Sequence, residues 1–400
     1  MYCVRKVTDD IYWVGGNDHR LALFENIHPI PRGVSYNSYV LLDEKTVLFD
    51  TTDWAVCRQF IENIKGVLNG RSLDYLVVNH VEPDHAASLE EILIRWPEVK
   101  IISTPKAFQL MQQFGFDIGD RGITVKEGES MSFGKHTVSF YTAAMVHWPE
   151  VMVSFDETSG CLFSADAFGT FGALDGKLFN DEVDFDRDWL DDARRYYTNI
   201  VGKYGKPVQN LLKKASKLDI KMICPLHGPV WHSDLGYFID KYDKWSKYEP
   251  EVNGVLICYA SMYGNTESAA QALATMLVDK GVKDVAVYDV STVDTATLIS
   301  ESFKYGTIVL ASVTYNLNVF PIMHNYIEDM KALCLCNRKF AIIENGSWSP
   351  TSGGLMEAAV NEMKGTEIIA PKVTVCSSLC DDKVKEIEAL ADTIIESLNA

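Results

Sequence analysis

Apolar residues fall into two rhythms along this chain. Through the first 250 residues they come as short runs separated by helical stretches and long polar loops. Tyr75–His80 (YLVVNH), Val99–Thr104 (VKIIST), His136–His147 (HTVSFYTAAMVH) and Ile220–His227 (IKMICPLH) read as strands, and Ser88–Trp96 (SLEEILIRW) reads as a helix. Strand-like and helical segments that alternate, with some hairpin-like pairs, predict a layered α/β domain. After residue 250 the pattern becomes regular: VLICYA, VAVYDV, TIVLAS, KFAIIEN and TEIIAPKVTV are apolar runs, each followed by a turn and a helical stretch. Continuous apolar strands are buried on both faces, so these five β–α repeats predict a doubly wound parallel five-stranded sheet with ligands at its C-terminal edge. The polar segment Asp243–Gly254 (DKWSKYEPEVNG), with Pro250 and Gly254, reads as the linker. Domains are expected over residues 1–250 and 251–400.

Composition narrows the class. Of 400 residues, 47% are apolar and 23% charged, the balance of a globular protein. With 37 basic and 55 acidic residues the net charge is −18, and no run of Lys or Arg exceeds two residues. Such a chain repels nucleic acid and anionic membrane, and any protein docking on it is expected to bring a basic patch. No apolar run approaches the ~18 residues that span a membrane. The N-terminal MYCVRKVTDDIYWVGG lacks the apolar core of a secretion signal, so a cytoplasmic location is expected. Nine scattered cysteines, an odd number without a C-x-x-C pair, argue against a disulfide framework and against a four-thiolate metal site.

Candidate chemistry gathers in two places. The run VVNHVEPDHAAS puts His80, Glu82, Asp84 and His85 behind an apolar strand. His147 follows in TAAMVHWPE, Asp166 in LFSADAFG and His227 in CPLHGPV. Each lone His or Asp reads as a satisfied core residue. Four segments that all run from strand to ligand-type residue to turn predict strand ends converging on one metal site. The second place is VLICYASMYGNTESAA, which sets Ser261, Met262, Tyr263, Gly264, Asn265 and Thr266 between a strand and a helix. Hydroxyls and backbone N–H groups at a helix N-terminus suit a phosphate dianion, and Gly264 lets the backbone approach it. No Lys stands in P-loop position, which disfavours a magnesium-bound nucleoside triphosphate; a simple helix cap is the plainer reading.

The order H-x-E-x-D-H, His147, Asp166, His227 resembles the flavodiiron version of the metallo-β-lactamase fold, in which Glu82 stands where the common hydrolases carry a second histidine. The run S-x-x-G-x-T resembles the FMN phosphate loop of flavodoxins. Together the two motifs make nearly the whole chain similar to flavodiiron proteins. The resemblance implies an N-terminal metallo-β-lactamase-like αββα sandwich, a C-terminal flavodoxin-like domain, two iron ions forming a diiron centre, and FMN. By that likeness His80, Glu82 and His147 hold one iron, Asp84, His85 and His227 the other, and Asp166 bridges them; in some members a water replaces the histidine matching His85. Three hard carboxylates beside four imidazoles favour iron that must visit the ferric state, whereas zinc is served by more imidazole. Tyr196, in DDARRYYTN, resembles a family tyrosine behind the ligands that donates a hydrogen bond to bound oxygen; helix packing is its other reading. Thr314, Tyr315, Asn316 and Asn318 from one strand end, and Gly346, Ser347 and Trp348 from another, lie where flavodoxins clasp the flavin ring.

The implied activity is reduction of dioxygen to water, with reduction of nitric oxide to nitrous oxide as the alternative. Electrons are expected through FMN from an external donor such as rubredoxin or a reduced deazaflavin, because no rubredoxin-like C-x-x-C module is present in the sequence. A short linker between large domains predicts cofactors too far apart within one chain, and hence a head-to-tail homodimer or homotetramer. A dizinc hydrolase and a simple electron carrier are the rivals from other classes. The segment Gly15–Gly33 is expected to overhang the metal pocket, with His19 and His28 as surface or packing residues.

Overall fold

Alternation of side chains along short strands builds the first half of the molecule. The computed structural model describes residues 3–399, and the chain divides into two units. One runs up to Tyr197 and resumes over Tyr204–Asp243; the other takes Thr198–Lys203 and everything from Lys244 on. In the first unit a seven-stranded sheet runs in the order Arg5–Lys6, Ile11–Trp13, Tyr39–Leu42, Thr46–Phe49, Tyr75–Val77, Lys100–Ser103, Gly122–Thr124. Its early pairs are antiparallel and its pairs from Thr46–Phe49 onward are parallel. Leu48, Leu76 and Ile101 form one apolar layer with Phe60, Ile64, Ile92 and Met111, which come from the helices Cys57–Leu68, Leu89–Arg95 and Pro105–Gln113. Phe49, the next residue after Leu48, stacks instead on Phe163, with ring centroids 3.8 Å apart. The two-residue period of a strand lets one segment serve helices on one face and a second sheet on the other.

That second sheet has five strands, Ser130–Ser132, Thr137–Thr142, Met152–Asp156, Cys161–Phe163 and Met222–Cys224, antiparallel except for the last pair. Helix Gly205–Ala215 buries Val208 and Leu211, and its Lys214 Nζ donates to the Thr142 carbonyl at 2.7 Å, tying helix to strand end.

The second unit is a parallel sheet in the order Val285–Asp289, Val252–Ala260, Tyr305–Tyr315, Lys339–Asn345, then Glu367–Ile368 and Val373–Val375. Leu256, Cys258, Ile308, Leu310 and Ile342 pack on one face with residues of helices Thr295–Lys304, Pro321–Ala332 and Ser352–Asn361. Val255, Ile257, Val309 and Ile343 pack on the other with Asn265–Asp279 and Asp381–Asn399. Burial on both faces explains why these strands read as unbroken apolar runs. Among the described residues no helix is long and apolar enough to cross a membrane.

Three sequence expectations change. The strand expected to reach His147 ends at Thr142; the chain then turns, Val146 N–H donating to the Ala143 carbonyl at 2.9 Å and Met145 taking a left-handed φ of 65°. Asp243–Gly254 is mostly regular structure: helix Leu235–Ser246 occupies its start and strand Val252–Ala260 its end. Polar residues hid the anchors there, for Trp245 is fully buried and the Tyr248 carbonyl accepts from Arg338 Nη1 at 2.6 Å. The five-position parallel sheet carries an added antiparallel strand, Asn318–Val319, and its fifth position is split around Pro371, which has no N–H for a ladder.

Asn37 fastens the first sheet to the turn that ends in His227. Its Nδ2 donates to the carbonyls of Pro225 (2.9 Å) and Gly228 (2.8 Å), and its Oδ1 accepts from Trp13 Nε1 (2.9 Å), all in a fully buried setting. Asn37→Ala strands these partners, at an expected cost of about 2–4 kcal/mol. Calorimetry of the metal-free chain will show this as a lowered unfolding midpoint; an unchanged midpoint would refute it.

Candidate metal centre and cofactor cleft

Three strands deliver a ligand-type side chain at the same offset. His80 lies three residues beyond Tyr75–Val77, Asp166 three beyond Cys161–Phe163, and His227 three beyond Met222–Cys224. Glu82 begins the one-turn helix Pro83–Ala86, which carries Asp84 and His85 and is preset by Pro83 at its first position. His147 comes from the turn after Thr142. Non-glycine residues in the left-handed region cluster beside these positions, namely Met145, Ala165 and Phe168, strain of a kind that gathers at functional sites.

The seven side chains form two groups that share one carboxylate. Glu82 Oε2 lies 3.1 Å from His80 Nε2 and 3.0 Å from His147 Nε2, and Asp166 Oδ2 lies 3.3 Å from both imidazole nitrogens. Asp84 Oδ2 lies 3.3 Å from His85 Nε2 and 3.2 Å from His227 Nε2, while Asp166 Oδ1 stands 3.1 and 3.6 Å from those nitrogens. Thus each Asp166 oxygen faces a different group. Separations near 3 Å are those of atoms sharing a cation at about 2.1 Å. Both Asp84 oxygens, Asp166 Oδ1, and Nε2 of His85, His147 and His227 are buried without a hydrogen-bond partner. Orphaned buried polar atoms are costly, so this inward-facing set fits two cations.

The charges answer one another even without ions. Burial would lower the His80 pKa, but the carboxylates of Asp166, Glu150 and Glu82 outweigh it and raise it well above the usual value. Burial likewise opposes the charged form of His147, yet Asp166 and Glu82 lift it to about 9. Burial would raise Asp166 and Glu82, but the surrounding imidazoles hold both low.

Groups that the sequence did not point to orient the ligands. His80 Nδ1 donates to buried Glu150 Oε1 at 2.7 Å, and His227 Nδ1 donates to the Ser35 carbonyl at 2.7 Å; both leave Nε2 for the centre. Asp50 accepts from the backbone N–H of Asn79 (2.7 Å) and His80 (3.2 Å), fixing the strand end. An acid in HWPE and another closing the run TVLFD were available signals; a backbone carbonyl has none. Phe24, Tyr36 and Tyr196 surround the His227 ring at centroid distances of 5.4, 5.6 and 5.4 Å. Phe24 belongs to the segment expected to overhang the pocket, and from the same segment Glu25 is raised to about 7, by burial and then by the charge of Glu82. His28 is mostly buried and packs on Phe171, while His19 is exposed. The Tyr196 hydroxyl is buried without a partner, and burial, then Asp166 and Asp84, push its pKa well up.

The second candidate site lies at the C-terminal ends of three parallel strands, in a cleft of about 370 Å³. Ser261, Met262, Tyr263, Asn265 and Thr266 form one wall; Thr314 and Asn316 form another; Gly346, Ser347 and Trp348 form a third. Val313, Leu317, Asn345 and Ser377 also line it and were missed, because three extend segments already noted and Ser377 follows a distant short strand. Gly264 does not line the cleft but sets the turn: at φ 86° it starts helix Asn265–Asp279, which no side chain caps, and its N–H donates to Ser261 Oγ at 3.1 Å. Uncapped N–H groups at the end of a fifteen-residue helix fit a phosphate. Tyr315 and Asn318 pair across a hairpin and are not in the lining. The Thr314 hydroxyl is committed to its neighbours, accepting from the N–H of Thr351 (3.0 Å) and Ser352 (3.1 Å).

Known proteins of the same design exist. The model of the ODP family beta lactamase matches residues 34–228 and that of flavodoxin matches residues 257–368. The nitric oxide reductase of Moorella thermoacetica is 31% identical over 372 residues, covering 92% of both chains. The anaerobic nitric oxide reductase flavorubredoxin of Aeromonas hydrophila is 31% identical over 86% of this chain and 70% of its own. The solved rubredoxin oxygen:oxidoreductase of Desulfovibrio gigas superposes with a TM-score of 0.92 at 28% identity, over 99% of this chain and 98% of its own.

Neutralising the carboxylate behind His80 without changing a ligand tests its supporting role. Glu150→Gln should weaken metal binding by about 10–100-fold in chelator competition, with flavin content unchanged. Wild-type metal affinity in this variant would refute the role.

Proposed function

The chain belongs to the flavodiiron protein family of oxidoreductases, and on that premise we propose that it reduces dioxygen to water, with electrons from an external donor. Its cofactors are a diiron centre and FMN. The single observation that carries this reading is the division of the two Asp166 oxygens between the two groups of ligand-type side chains. In this proposal His80, Glu82 and His147 would hold one iron and Asp84, His85 and His227 the other, with Asp166 available to both. When bound, two ferrous ions and a two-electron-reduced flavin store the four electrons that dioxygen needs to become two waters.

The chain's own residues do the rest. Glu150 and the Ser35 carbonyl keep the Nδ1 protons of His80 and His227, so each presents Nε2 as a lone pair. Phe24, Phe171 and Tyr196 pack edge to face beside His227, which keeps water scarce and suits an apolar diatomic gas. The Tyr196 hydroxyl, unpartnered in this wall, would donate a hydrogen bond to the substrate. In the cleft of the second unit the N-terminus of helix Asn265–Asp279 would hold the FMN phosphate, and Trp348 would contact the ring. The name of the Desulfovibrio protein supports rubredoxin as a donor; a reduced deazaflavin serves the same chemistry. A head-to-tail homodimer or homotetramer would bring the flavin of one chain to the irons of the next. Nitric oxide reduction to nitrous oxide is the second reading, favoured by the names of the Moorella and Aeromonas relatives.

Consumption of each gas, followed with one reduced donor, is the test. Dioxygen should disappear without accumulating hydrogen peroxide, and faster than nitric oxide. Tyr196→Phe should lower kcat/KM for dioxygen about 10-fold with iron and FMN content unchanged. Preferential nitric oxide turnover would establish the second reading, and zinc in a colourless protein would point to a hydrolase.

A further inference from the structure

Helix Gly205–Ala215 and the turn after it carry Lys206, Asn210, Lys213 and Lys217, all exposed and spaced three or four residues apart, which sets them along one face. Beside this face runs the segment Thr142–Ala144, and the two enclose an open groove of about 360 Å³ lined by Pro207, Asn210, Lys213, Lys214 and Lys217. Lys214 is neutralised, with its Nζ 2.9 Å from Glu127 Oε1. Among the described residues no acid pairs with Lys206, Lys213 or Lys217, although acids outnumber bases by 55 to 37 in the chain. This face therefore presents three unneutralised positive charges on a chain whose net charge is negative. The far wall of the groove is also the start of the turn that carries His147, held as one piece by Ala143 N–H on the Val151 carbonyl (2.8 Å) and Met145 N–H on the Trp148 carbonyl (2.7 Å).

We propose that this groove is where the external electron carrier docks, and that the carrier is a small protein with an acidic face. The proposal rests on the reading that a separate protein supplies the electrons. Net charge alone suggested a donor with a basic patch; the helix face reverses that expectation. An acidic carrier is repelled by a surface of net negative charge and attracted by this cationic strip, which gives orientation as well as faster encounter. Salt screens such attraction beyond about 8–10 Å, so docking should weaken as ionic strength rises.

The decisive variant is Lys206→Glu/Lys213→Glu/Lys217→Glu in the full chain, assayed with reduced rubredoxin. The apparent KM for rubredoxin should rise about 10-fold or more and lose its salt dependence, while the rate at which dioxygen reoxidises the photochemically reduced protein, and its metal and flavin content, stay at wild-type levels. The corresponding triple Gln variant should shift KM in the same direction by less. Carbodiimide treatment of the wild type with oxidised rubredoxin should join Lys213 or Lys217 to rubredoxin carboxylates. That cross-link does not depend on turnover, so a reduced wild type that dioxygen reoxidises no faster than free FMN would count against the oxidoreductase reading and leave docking decided by the cross-link. Wild-type KM and salt slope in the Glu variant, or cross-links that map elsewhere, overturn the proposal. Tripolyphosphate binding that the Glu variant loses, with rubredoxin kinetics unchanged, would assign the groove to small polyanions and overturn it equally.

Discussion

The gathering of six buried or partly buried ionisable side chains around one shared carboxylate is the constraint on which the first unit depends. Asp166 is almost fully buried, and so are His80, His85 and His227. Bringing such groups together without partners is prohibitive in a low-dielectric interior. Two states resolve the conflict. In one, protonated imidazoles answer the carboxylates, which is why His80, His85 and His147 are raised and Asp166 and Glu82 lowered. In the other, cations take the place of those protons. Metal binding therefore displaces protons from the same atoms, and the fold need not rearrange to exchange one set of charges for the other.

The two units share a way of making sites. Each places chemistry just past the ends of strands, where the backbone leaves the ladder and its groups become available, while the strands hold positions fixed. The N–H groups of Asn79 and His80 are used up on Asp50, so the turn that carries the ligands cannot slide. In the second unit the hydroxyl of Thr314 is used up on the start of helix Ser352–Asn361, which fixes two walls of the cleft relative to each other. Residues that touch nothing bound can thus set the precision of what is bound.

How much of this was legible follows from what carries a residue-type signature. The strands of the second unit were readable because burial on both faces makes them apolar without interruption. The seven positions of the candidate metal centre were readable because a histidine or acid directly behind an apolar run is rare. The orienting groups were not, since Glu150 stands among ordinary loop residues and the partner of His227 is a carbonyl, which any residue supplies. The segment Asp243–Gly254 was misread because helix Leu235–Ser246 exposes its polar face, and two anchoring aromatics among twelve residues of mixed character do not announce burial. The lost end of the strand before His147 has a similar cause: in TAAMV, Ala143 and Val146 are buried by the packing of a turn rather than by an extended strand.

The same distinction separates net charge from the field a partner meets. A net charge of −18 is a sum over the whole chain, whereas a docking protein responds to charges within about a Debye length of the contact. A search for basic runs sees adjacent residues only, and adjacent residues on a helix point about 100° apart. Lys206, Lys213 and Lys217 share a face because they are separated by seven and four residues, so they escape such a search while adding their fields in space. Lys213 and Lys214, which the search does find, do not act together: one is open to solvent and the other is bound to Glu127. The helical period, not the count of charges, decides which lysines a partner feels.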